Sequence, residues 1–213
     1  MTGPSSDPSQ NNWLLAKMTI ISIFIGIIAD TADILDRFKG LFPTQTTNNA
    51  TLSQTQDAKD YYNRGNVYRN QGEYEKAITE FNQAIRLNPK FAEPYYGRGG
   101  VYFDQGKYEK AIADYSESIR LKNPSLWLLH NNRGLVYFNQ GKYEKAIADY
   151  NQAIRLEPKY AAPYYNRGLI YKRNKDIEKA ISDFEKAADL HKQEGDQKWH
   201  QYSLDQLKEL RGY

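Results

Sequence analysis

Tyr61-Tyr62-Asn63-Arg64-Gly65, Tyr95-Tyr96-Gly97-Arg98-Gly99, Asn131-Asn132-Arg133-Gly134 and Tyr164-Tyr165-Asn166-Arg167-Gly168 are four versions of one phrase, and their glycines stand 34, 35 and 34 residues apart. A second repeated half follows each phrase, Tyr74-Glu75-Lys76-Ala77-Ile78 after the first and Tyr108-Glu109-Lys110-Ala111-Ile112 after the second. A period of this size over four units marks a solenoid, in which a unit buries its apolar face only against its neighbours. The stretch from Asp57 to Leu190 is therefore expected to be an all-α array of helix-turn-helix units.

Within the first unit, helix A is expected over about Ala58 to Gln71. Gly65 inside it costs roughly 1 kcal/mol relative to alanine, which suits a place where another helix comes close. Ala77 and Ala84 are expected to supply the facing small surface, with Tyr61, Tyr68 and Phe81 filling the remaining volume. Gly72, Gly106 and Gly141 fall where helix A should end in a left-handed turn, and Pro89 and Pro158 stop the B helices. Two units depart from the pattern. The turn before the third has one extra residue around Lys122-Asn123-Pro124, its next helix starts Trp127-Leu128-Leu129, and His130 replaces a tyrosine. The fourth lacks the glycine after helix A, reading Lys175-Asp176-Ile177, and runs into a capping helix over Asp196 to Leu210, with Trp199, Tyr202, Leu207 and Leu210 at helical spacing, in a segment 193–213 of capping helix and C-terminus.

The units resemble the tetratricopeptide repeat (TPR) family in its tyrosine-rich bacterial form. The family's large fourth residue is matched by Tyr61, Tyr95, His130 and Tyr164, and its small eighth by Gly65, Gly99, Gly134 and Gly168. Tyr68, Tyr102, Tyr137 and Tyr171 match the eleventh, and Ala77, Ala111, Ala146 and Ala180 the twentieth. Aromatics follow four further on at Phe81, Tyr115, Tyr150 and Phe184. The resemblance implies a right-handed superhelix of four repeats (58–91, 92–126, 127–160, 161–192) plus the cap. It also implies a concave groove lined by A helices, and a non-catalytic scaffold for a protein or peptide partner. Carried over position by position, the groove residues are Tyr62, Asn63, Asn66, Arg69, Tyr96, Phe103, Leu128, Asn131, Asn132, Leu135, Phe138, Tyr165, Asn166 and Lys172. Their tyrosine and amide chemistry suits an extended or helical segment with aromatic or apolar anchors.

The other charged columns read more plainly. Lys76, Lys110, Lys145 and Lys179 each precede an acid by four residues, Glu80, Asp114, Asp149 and Asp183, as solvated helix pairs do. Arg64, Arg98, Arg133 and Arg167 stand where the family more often has leucine. Their stems can pack beside local acids, or they can form a basic stripe for nucleic acid, the rival reading. A net charge of +3 is too small to point to nucleic acid by itself. There is no cysteine, and His130, His191 and His200 lack metal-ligand spacing, so no metal, cofactor or catalytic group is expected.

Ahead of the repeats, 1–12 reads as disordered and 43–56 as a polar linker. Trp13 to Ala29 is an apolar stretch at the short end of a bilayer span, continued by the amphipathic Ile27, Thr31, Leu35, Phe38 and Phe42 and ended by Pro43. The leading reading is a single-pass anchor over 13–29 within a helix over 13–42, with Arg37 and Lys39 drawing the repeats to the cytoplasmic side. A helix packed on protein, or an export signal, is the alternative, with soluble or exported repeats. Self-association through this helix or through Trp127-Leu128-Leu129 also stays open.

Overall fold

The computed structural model describes residues 45–212. The expected disorder over 1–12 and the hydrophobic helix over 13–42 lie outside the described residues. Among the described residues there are nine helices and no strand: α1 (Gln45–Asn70), α2 (Tyr74–Leu87), α3 (Ala92–Asp104), α4 (Tyr108–Arg120), α5 (Leu126–Asn139), α6 (Tyr143–Leu156), α7 (Ala161–Arg173), α8 (Ile177–Glu194) and α9 (Gln197–Arg211). They form four hairpins, the first closed by the contacts of Gly65 and Arg64 on α1 with Phe81 and Glu80 on α2; each second helix also packs on the first helix of the next hairpin, and α9 packs on α8. The array lies in the unit Thr51–Tyr213.

Helix α1 begins at Gln45, well ahead of Ala58, which corrects the linker expected over 43–56. Nothing between Gln45 and Asp57 is proline or glycine. Once the packed part of a helix is nucleated, each added residue brings one more backbone bond at little cost, so the helix propagates upstream.

The hairpins close on one contact. A Cβ added at Gly65 would lie 2.6 Å from the Phe81 ring, at Gly99 2.9 Å from Tyr115, at Gly134 2.8 Å from Tyr150, and at Gly168 3.0 Å from Phe184. The surface facing each glycine is thus the B-helix aromatic, rather than the alanines expected there. Ala77 and Ala84 are buried beside the ring. Phe81 also touches the following repeat, since a Cβ at Gly97 would lie 2.6 Å from it. Val101, Val136 and Ile170, at one shared place in the A helices, are fully buried under the preceding B helix; Val67, at the same place in the first described repeat, is 54% exposed.

Gly72, Gly106 and Gly141 end the A helices with φ of 76°, 70° and 71°. Where the fourth repeat has no glycine, Lys175 takes the same left-handed conformation at φ 60°. The extra residue before α5 is absorbed in the same way, with Lys122 at φ 57°. Buried Asn123 holds that turn: its amide donates to Ser118 Oγ at 3.3 Å and its Oδ1 accepts from the Ser125 amide at 2.9 Å. Ser118 Oγ in turn donates to the Ala92 carbonyl at 2.8 Å, bracing the turn against α3. At the other end, Asp196 caps α9 by accepting from the Trp199 amide, and Leu207 and Leu210 close over Ala180 and Phe184.

Two glycines of one sequence type should respond oppositely. Gly134→Ala forces a methyl group into the Tyr150 ring and should cost about 1–3 kcal/mol. At Gly100 the nearest atoms a Cβ would meet are those of the Arg69 guanidinium, the movable end of a long side chain, so Gly100→Ala should leave the melting temperature unchanged or raise it. Lys175→Gly relieves left-handed strain and should add about 1 kcal/mol, read from the denaturant midpoint.

Candidate protein-binding face

Sixteen residues, not four, separate the ion pairs that matter. Arg98 holds Asp114 through Nε at 2.8 Å and Nη2 at 2.7 Å; Arg133 holds Asp149 at 2.8 Å through both; Arg167 holds Asp183 at 2.8 and 2.7 Å. Each fork joins helix A to helix B of its own hairpin. The remaining guanidinium nitrogen donates into the preceding B helix, from Arg98 to Asn82, Arg133 to Ser116 and Arg167 to Asn151. Asp114, Asp149 and Asp183 are buried, so the lysine–acid pairs expected on a wet face do not form there. A planar two-pronged cation suits an enclosed carboxylate better than a strongly hydrated ammonium does. Arg64, in the first described repeat, holds Glu80 through Nε alone at 2.8 Å and remains half exposed.

The lysines lie instead over tyrosines. Lys76, Lys110, Lys145 and Lys179 stand 5.3, 5.4, 5.7 and 5.4 Å from the rings of Tyr68, Tyr102, Tyr137 and Tyr171. Arg98 and Arg167 also approach rings of this column, Tyr102 and Tyr171, at 5.9 and 5.7 Å. Fourth-place tyrosines bind backward, Tyr95 to the Pro89 carbonyl and Tyr164 to the Pro158 carbonyl, each at 3.2 Å. The rearranged turn before α5 removes that partner, and His130 meets Asp149 at 2.8 Å instead. The difference appears in the acids. Burial raises both carboxyls. At Asp149 the bonds from Arg133 and His130 overcome it and hold the group below the usual range, whereas at Asp183, with Arg167 alone, burial prevails and the group is raised.

The residues assigned to the groove join the A helices to one another. Arg69 faces Asp104 across α1 and α3 at 3.6 Å. Asn132 donates to the Tyr96 hydroxyl at 3.4 Å, and Asn166 to Asn131 Oδ1 at 3.3 Å. Lys172 donates to Gln206 at 2.8 Å and Glu209 at 2.6 Å on α9. Asn131 is buried, its amide also reaching Tyr160, so it belongs to the wall and not to the surface. Tyr62, Tyr96, Phe103, Phe138 and Tyr165 rest on the rings of Phe81, Tyr115, Tyr108, Tyr143 and Phe184 while keeping part of their own surface open. Asn63 is exposed, and Asn66, Leu128 and Leu135 are partly so. Gly100, at the ninth place of the second repeat, makes room for the Arg69 guanidinium. One contributor escaped the sequence reading: Trp199 of α9, read there only as part of the cap, meets Tyr165 edge-on at 5.3 Å and extends the row onto α9. Among the described residues no group of acids and histidines is placed to hold a metal, and no helix is long and apolar enough to cross a membrane.

A TPR repeat profile matches 65–106, 99–141 and 134–175, and a Tetratricopeptide repeat profile matches 161–193. The chain belongs to the tetratricopeptide-repeat family. Among solved TPR-like structures it is similar to MamA (25% identity, TM-score 0.61), covering 80% of this chain and 99% of that one. It is also similar to YrrB, a TPR protein with an unusual peptide-binding site (19% identity, TM-score 0.57), covering 78% and 92%. A tetratricopeptide repeat protein from Parabacteroides merdae ATCC 43184 shares 22% identity at a TM-score of 0.62, over 74% of this chain and 61% of that one. Among curated proteins none matches. The family's members are generally interaction modules, and the likeness to YrrB and the P. merdae protein is one of fold.

Arg133→Met would leave Asp149 in a largely enclosed site with one partner fewer, and should cost about 3–5 kcal/mol in chemical denaturation. Arg64→Met, on a half-exposed pair, should cost less than about 1 kcal/mol. Because the Asp149 carboxyl is held low, its contribution is complete above the unfolded aspartate value of about 4 and is lost as pH falls through the folded value. The gap in stability between the wild type and Asp149→Asn should therefore be constant near neutrality and shrink below about pH 4.

Proposed function

We propose that this TPR protein is a non-catalytic scaffold that holds a peptide or protein segment along its A-helix face. Tethered to a membrane through 13–29, it assists the assembly of a complex. One observation carries the reading. The cations of the arginine and lysine columns are engaged within the array, whereas the A-helix face keeps tyrosine, phenylalanine, leucine and asparagine side chains partly open. Partly open aromatics and amides on rigid helices offer contact area, hydrogen bonds and little entropy to lose. The peptide-binding site of YrrB, on the same fold, supports the reading. The tether rests on the sequence pattern of 13–29.

The structure weakens the nucleic-acid alternative at its source, because three of the four arginines offered for it are locked onto buried aspartates. Phosphate binding by such a stripe would require breaking those forks.

Leu135→Arg and Asn66→Arg add bulk and charge to the A face without removing a core side chain. Each should weaken capture of the partner by full-length protein at least about tenfold in a quantitative pull-down, while Lys186→Glu on the exposed side of α8 changes nothing. Capture that survives both A-face changes places the binding surface elsewhere.

A further inference from the structure

The outer face of a terminal helix in a repeat array is ordinarily polar, because it must end the stack in water. Helix α9 breaks that rule with Trp199 and Tyr202, which are 41% and 42% exposed. Their rings meet edge-on with centroids 5.3 Å apart, and Trp199 meets Tyr165 of α7 in the same way. From α8, His191 stacks near the indole at 6.1 Å and 25°. Three helices therefore hold one indole in place and leave part of it in solvent, so a ligand docking there has little side-chain motion to freeze.

The charges around this platform are unequal in how they are engaged. Lys172 is bound to Glu209 and Gln206, and Lys198 lies 5.8 Å over the Tyr202 ring. The acids are looser. Glu194 is 47% exposed with His191 at 3.4 Å, and Asp205 accepts from the neutral amide of Gln201. Their fields reach the neighbouring phenols: after burial and Tyr202, Asp205 helps to raise Tyr165, and after burial and Tyr96, Glu194 helps to push Tyr160 up to about 12. Open aromatic surface beside loosely held carboxylates is complementary to a cation with a flat face.

We propose that Trp199 and Tyr202 dock an arginine side chain from a partner protein segment lying on the A-helix face, with Glu194 or Asp205 balancing its charge. This rests on the A face being the binding surface and assigns the partner a basic residue at the C-terminal end of that surface. The chain uses the same chemistry on itself. Arg64 lies 4.3 Å over Tyr61 while bound to Glu80, and Arg167 lies 5.8 and 5.7 Å over Tyr164 and Tyr171 while bound to Asp183. Arginine fits better than lysine because its weakly hydrated plane stacks on a ring and still presents donors to a carboxylate.

The test is a nuclear magnetic resonance titration of the full chain, following the Trp199 indole signal, assigned by its loss in Trp199→Phe. Three alanine-based peptides serve as probes, identical except for arginine, citrulline or norleucine at one position. The arginine peptide should shift the Trp199 signal saturably and bind at least about fivefold tighter than the citrulline peptide. The double variant Glu194→Gln/Asp205→Asn should erase that preference with no change in melting temperature. Equal binding of arginine and citrulline, tightest binding of norleucine, or an unmoved Trp199 signal overturns the proposal. Leu135→Arg separates the two readings. If it abolishes partner capture while the peptides do not discriminate, the A face stands and the arginine site falls. If capture is untouched and the arginine preference persists, the platform is a site in its own right.

Discussion

An aromatic ring pressed into the gap left by a glycine holds each hairpin together. Helix A can approach helix B only where it has no side chain, and helix B fills the opening with Phe81, Tyr115, Tyr150 or Phe184. The ring is too large for the approach to be closer and too well seated for it to slide. At Phe81 the same ring also reaches Gly97 of the next repeat, so hairpin closure and repeat stacking share an atom group. A close-packed interior leaves little slack, and for this reason a single methyl matters in the gap and not at Gly100, where the neighbour is a flexible guanidinium.

Around that apolar contact the arginine–aspartate forks set register. A bidentate pair is satisfied at one relative position of two helices, and the third donor into the preceding B helix adds a second condition. Enclosed ion pairs are a weak source of net stability but a strict requirement once present, since an abandoned carboxylate is costly. The tyrosine and lysine columns lie beside the forks, so much of the chain's tyrosine excess is structural and only part of it lies partly open on the A helices.

The glycine period made the fold legible: the hairpins, the left-handed turns and the cap all follow from residues whose backbone demands are local. The acids were misread because a lysine four residues away on one helix and an arginine sixteen residues away on the facing helix look equally available in a linear string. Only packing shows that Asp114 and Asp149 turn inward, where the fork geometry wins. The upstream extent of α1 was hidden for another reason: polar residues carry weak preferences, and a neighbouring nucleus decides for them. Of the groove columns, Asn131 was the misplaced member. Its repeat begins with Trp127, which meets Tyr160 edge-on at 4.5 Å, and the Tyr160 hydroxyl that this brings close receives the Asn131 amide.

On the proposed reading, a face whose cations are tied up within the array recognises a partner in a particular way. With a net charge of only +3 spread over the chain, little long-range field steers association, so contact must be found by shape and by amide and aromatic chemistry at close range. Such a face is also unequal along its length. In the first described repeat it carries exposed Asn63 and Arg64 beside the exposed Val67; at the last it reaches Trp199 and Tyr202. Large rigid aromatics contribute more to an interface than small polar groups do. On the proposed reading, a segment bound along this face would meet its strongest contacts at the C-terminal end.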